Sequence, residues 1–105
     1  MTQEEWIESE RNNLQEQFLI VLGQLTEGFT QEEQYETALS AANKMIQLDN
    51  CLENAHRAMM YCYWKMGDRI RALRQFEQCK LALKRELGIN VSAKTLKLME
   101  EIQEG

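Results

Sequence analysis

Tyr35, Ala38 and Leu39 are followed 34 positions later by Arg69, Ala72 and Leu73, and Met45 is followed by Cys79 at the same interval. A period of that length corresponds to two helices joined by a turn, repeated along the chain. Such a unit cannot bury its apolar face alone, so the repeat commits the chain to stacking one unit on the next. The small residue that recurs as Ala38 and Ala72 lets neighbouring helices approach closely. On this reading "YWKMGDRIRAL", residues 63–73, is the turn of the second unit. Gly67 and Asp68 then have structural roles, and no catalytic turn is needed to explain them.

Composition agrees with a helical stack. The 105 residues contain no proline and only five glycines, which permits long helices and disfavours a sheet rich in tight turns. Leu14, Phe18, Val21, Leu22 and Leu25 fall at helical spacing, as do Tyr35, Ala38, Leu39, Ala42, Met45 and Ile46. Each set predicts one core-facing stripe. Thr30 followed by Glu33 has the form of a capping box, which starts a second helix near residue 31. Asp49 and Asn50 offer caps for a third helix holding Met59, Met60 and Tyr63. Gly67 ends it, Asp68 caps a fourth helix with Ala72, Leu73, Phe76, Cys79 and Leu83, and Gly88 stops that one. Ser92 starts a fifth with Leu96, Met99 and Ile102 on one side.

Paired helices at this period are the tetratricopeptide signature. The expected fold is all-α: about five helices in tetratricopeptide-like antiparallel hairpins, forming a right-handed superhelical stack. One domain spans residues 1–105, with hairpin one at about 4–48, hairpin two at about 51–87 and a capping helix at about 92–104. The long first helix with Trp6 and the short last helix are expected to cover the apolar ends of the stack.

A more specific likeness runs through "ENAHRAMM", "GDRIRALRQFEQCK", "KRELGI" and the pattern from Ser92 to Thr95. "EEWIESERNNLQEQF" and "YETALSAANKMIQLDN" extend it upstream, so that it covers nearly the whole chain. In these features the chain resembles the bacterial transcriptional activator domain, the helical module of SARP-type and related regulators. Two departures stand out. The prolines that the family places after its second glycine are absent from "INVSAKT", and its "LDP" between repeats reads "LDN" here, which keeps a helix cap but loosens the stop. The resemblance implies a non-catalytic protein-interaction domain that acts with a DNA-binding domain not present in this chain, to recruit transcription machinery or to mediate oligomerisation. A free-standing tetratricopeptide adaptor, binding a protein or peptide in its concave groove and unrelated to transcription, is the alternative.

Several classes are disfavoured directly. The longest apolar run is "FLIVL", far below the roughly 18 residues of a membrane span, and the acidic start "MTQEEWIESE" is unlike a signal peptide, so the chain reads as cytoplasmic. Apolar residues at 44 percent and charged residues at 28 percent are the balance of a folded domain rather than a disordered one. Cys51, Cys62 and Cys79 show no zinc or disulfide spacing and read as buried, reduced residues. His56, the lone histidine, has no metal-ligand partner in sequence and reads as a packed helix residue. Neighbouring glutamates such as Glu32 and Glu33 or Glu100 and Glu101 diverge on a helix, which is wrong for paired acid and base work. No phosphate loop or nucleophile motif occurs. The reading is therefore no enzyme, no catalytic residue, no metal, no cofactor and no small-molecule substrate.

Two surfaces are candidates for partners. Residues 1–55 carry 2 basic and 11 acidic side chains, net −9, and residues 56–105 carry 10 and 6, net +4. A basic face of Arg69, Arg71, Arg74, Lys80, Lys84 and Arg85 can meet an acidic partner surface or DNA phosphates, although overall acidity argues against direct DNA binding. The second candidate is the concave side, where the first helix of hairpin two presents Asn54, Arg57, Tyr61, Trp64 and Lys65, residue types that anchor protein interfaces. The partner is expected to be a protein, either transcription machinery or another domain of the same regulator. A homodimer is possible, DNA is reached only indirectly, and no membrane is involved.

Overall fold

The computed structural model describes residues 2–105, and among them there are five helices and no strand. They are α1 (Gln3–Gln31), α2 (Tyr35–Leu48), α3 (Glu53–Lys65), α4 (Arg69–Leu87) and α5 (Ala93–Glu104). The fold is all-α and tetratricopeptide-like.

The 34-residue period is visible in the backbone. α1 ends at Gln31 and α3 at Lys65, while α2 begins at Tyr35 and α4 at Arg69. Both turns contain one left-handed residue, Glu33 at φ 62° and Gly67 at φ 83°. They close the same way: the Gln34 amide donates to the Phe29 carbonyl, and the Asp68 amide to the Tyr63 carbonyl, each at 2.8 Å. The two α-hairpins thus share one turn geometry, with a glutamate in the first at the place glycine fills in the second.

α1 packs on α2, α2 on α3 and α3 on α4, while α5 lies against both α3 and α4; α1 also touches α3. The first helices of successive units, α1, α3 and α5, therefore share one side of the stack. The molecule measures 54 × 33 × 18 Å with a radius of gyration of 15.3 Å. A compact domain of this length would have about 13 Å, so the stack is elongated.

The core has two centres, and α3 contributes to both. Leu22, Ala41, Met45 and Ala55 form one cluster and Met60, Ala72, Phe76 and Ile102 another. Ala38 and Ala72, the equivalent alanines, are both fully buried, as their spacing predicts. Cys62 and Cys79 are buried and reduced; Cys51 is reduced but half-buried, because the loop that carries it lies at the edge of the stack.

Helix ends divide into those with local chemistry and those without. The Asp68 side chain accepts from the Arg71 amide, Gly88 closes α4 at φ 66°, and the Ser92 hydroxyl accepts from the Thr95 amide. Thr30 and Glu33 do not start α2. α1 continues through them, since the Thr30 hydroxyl donates to the Thr26 carbonyl at 2.6 Å, and α2 begins behind Gln34 without a side-chain cap. The capping box lies instead at Thr2 and Glu5, at the start of α1. Nor do Asp49 and Asn50 cap α3: the Asp49 carboxylate accepts from the Cys51 amide, and Leu52 precedes the helix.

The largest departure is in α1. Its 29 residues span about 43 Å, whereas the 14 of α2 span about 21 Å, so α2 can cover only half of it. Every residue from Thr2 to Phe18 is exposed. Of the stripe Leu14, Phe18, Val21, Leu22 and Leu25, only Leu22 enters the core, and Trp6 stands in solvent rather than covering the end of the stack.

Candidate protein-binding groove

Because α1, α3 and α5 share one side, they enclose a groove of about 670 Å³. Its base contains Thr26, Met45, Ala55 and Ala58, and its edges carry Glu27, Asn54, Lys94 and Lys97. Ala55 and Ala58 leave room on the α3 wall, and the border mixes both signs of charge. An extended or helical peptide would find apolar floor and polar rim here.

Three of the five α3 candidates line this groove: Asn54, Arg57 and Tyr61. Asn54 is exposed and free to contact a partner. Tyr61 meets Tyr35 and Trp64 edge-on, with centroids 6.3 Å apart in each pair. Trp64 lies one turn further along α3 and packs against the cluster of Met60, Ala72, Phe76 and Ile102. Lys65 closes the row, its ammonium 5.4 Å from the Tyr61 ring centre and 5.1 Å from that of Trp64. Trp64 and Lys65 thus stand beyond the groove's end, near the two hairpin turns, and hold the Tyr61 ring in place.

Arg57 is tied to α5. Its Nη1 donates to the Thr95 hydroxyl at 2.9 Å and lies 3.7 Å from Glu53 Oε2. That same Glu53 oxygen accepts from the Ser92 amide at 3.0 Å, the Ser92 hydroxyl at 2.9 Å and the Thr95 hydroxyl at 2.5 Å. Burial by itself would raise the pKa of Glu53, yet the hydrogen bonds from Thr95 and Ser92, with the Arg57 guanidinium, carry it below the ordinary carboxylate value. One carboxylate therefore anchors the first turn of α5 to α3 and sets the width of the groove. Glu53 and Thr95 escaped the sequence reading of the site, since residues 42 positions apart carry no mutual signal; Ser92 was legible only as a cap.

His56 is buried beside this clamp. Its Nε2 donates to the Asn50 carbonyl and its Nδ1 accepts from the Gln75 amide, both at 2.8 Å, which fixes a neutral imidazole in one tautomer. It braces the α2–α3 loop and α4. No group of three His, Cys, Asp or Glu side chains that could hold a metal occurs among the described residues. No helix there is long and apolar enough to cross a membrane.

The six basic residues of α4 spread around the helix. Arg74, Lys80 and Lys84 border a second groove, between α4 and α5. Arg69 donates to the Gln103 carbonyl at 2.5 Å, and Arg71 pairs with Asp68 at 3.3 Å in solvent. Arg85 lies about 20° from Arg74 around the helix, apart from Lys80 and Lys84.

The family model described as the bacterial transcriptional activator domain matches residues 1–103. The chain belongs to that family. It is therefore a transcriptional activator-type domain, and the match takes in both hairpins and α5 rather than a single repeat. No curated protein and no solved structure matches it. Within the activator domain, the concave groove draws on α1, α2, α3 and α5, with α1 on one wall and α5 on the other.

Proposed function

We propose that this bacterial transcriptional activator domain is a non-catalytic interaction module of a regulator, working with a DNA-binding unit that lies outside these residues. Its concave groove engages a segment of the transcription machinery. The observation that carries this reading is the groove itself, which brings Asn54, Arg57 and Tyr61 of α3 between α1 and α5 in a chain of activator-domain type. The groove supplies an apolar floor for an anchor residue and charges of both signs for orientation. Contact with DNA is indirect, through the separate unit.

The test is a bacterial reporter in which the domain is tethered upstream of a promoter by an unrelated DNA-binding domain. Tethering raises transcription, and Asn54→Arg combined with Lys97→Glu lowers that gain several-fold while helicity is unchanged. Both positions are exposed on the groove, so the fold tolerates them. Full activation by the double variant, or none by the parent domain, contradicts the proposal.

A further inference from the structure

Two apolar surfaces in this molecule face solvent. One is the projecting half of α1, where Ile7, Leu14 and Phe18 lie on one side at 43, 57 and 50 percent exposure. The other is the outer groove between α4 and α5, about 900 Å³, with Ile70, Leu81, Ile89 and Leu96 all exposed and Arg74, Glu77, Lys80 and Lys84 along it. A helix of four turns that buries nothing is marginal by itself, and an open apolar groove of this size marks an interface.

The two surfaces are complementary. From Thr2 to Phe18 the chain carries five acidic residues and one arginine, net −4, while α4 carries six basic and two acidic residues, net +4. Their lengths agree as well: Gln3 to Phe18 rises about 24 Å, and the α4 wall from Ile70 to Lys84 about 22 Å. In one molecule they cannot meet, because α1 touches only α2 and α3. The groove also lies where a further helix would continue the stack, beside the last hairpin and α5.

We infer that the α4–α5 groove receives the projecting α1 segment of a second copy of this chain. The amphipathic α1 segment supplies to its neighbour the helix that would otherwise continue the repeat, with its acids set against Arg74, Lys80 and Lys84. The contact is heterologous: one copy gives α1 and the other gives the groove, so the association either closes as a reciprocal pair or extends. This surface lies apart from the concave groove and stands or falls separately from it.

Light scattering on the purified chain across a concentration series tests this. The mass rises from monomer to at least twice that value, and added salt lowers it by screening the opposed charges. Leu14→Gln with Phe18→Gln, or Ile70→Gln with Leu81→Gln, leaves each variant monomeric at the same concentration. All four positions are exposed and glutamine keeps helix propensity, so circular dichroism stays unchanged. Mixing the two variants restores one good contact and gives a 1:1 heterodimer. A parent chain that stays monomeric throughout overturns the inference. So does an oligomer that survives either pair of substitutions, or a mixture that forms no complex.

Discussion

Glu33 occupies a backbone conformation that an L side chain adopts at a cost of about 1–2 kcal/mol, at φ 62°. Gly67 meets the same requirement one repeat later without that cost. Glu33→Gly should therefore stabilise the domain by about 0.5–1 kcal/mol, and Gly67→Ala should destabilise it by about 1 kcal/mol, both read from urea unfolding midpoints. Equal and opposite behaviour at equivalent positions would also establish that the two turns are one structure. His56 carries a pH signature. Burial pushes its pKa below 6.5, against the pull of the Asn50 carbonyl and of Glu53, so the unfolded chain binds the proton more readily than the native one. Stability consequently falls as pH drops below about 6.5, and thermal scans should show this slope in the parent and lose it in His56→Gln. Glu53 adds a separate loss only further down, below about 4.5, because its native pKa is lowered.

At the scale of elements, α5 depends on one side chain. Glu53→Ala removes the acceptor shared by the Ser92 amide and the Ser92 and Thr95 hydroxyls, and leaves Arg57 without its carboxylate. A loss of about 1–3 kcal/mol is expected, with amide exchange accelerating in α5 before α2 or α3. Unaltered exchange in α5 would mean that Ile102 and its apolar neighbours hold the helix by themselves. The same elements show what the sequence revealed. α4 and the start of α5 were legible because Gly67, Asp68, Gly88 and Ser92 act through local backbone hydrogen bonds. The end of α1 was not, because the left-handed position there holds glutamate in place of glycine, and Thr30 bonds back into its own helix. Only the 34-residue register, which sets Glu33 opposite Gly67, carries a signal for it, and the Thr30–Glu33 pattern masked that signal. The apolar stripe of α1 was legible as a stripe, but its burial depends on the length of α2, which is a tertiary fact. Likewise Asn54, Arg57 and Tyr61 could be assigned to the concave side from repeat logic, whereas the tie from Arg57 to Thr95 could not.

The whole molecule is an elongated stack with distinct surfaces: a concave groove of mixed charge, an acidic projecting helix and a basic, partly apolar outer groove. None of these depends on a reactive group, and each is suited to protein contact. The division of charge, net −9 over residues 1–55 and +4 over 56–105, makes any association through its ends sensitive to salt. The functional reading rests on the proposed contact between the concave side and the transcription machinery. Its most direct test places a photo-crosslinking amino acid at Asn54, in the groove, or at Asn43, exposed on α2, and irradiates each protein with purified bacterial RNA polymerase on promoter DNA. A crosslink to a polymerase subunit is expected from position 54 and none from 43. Equal crosslinking from both positions, or none from either, would contradict it.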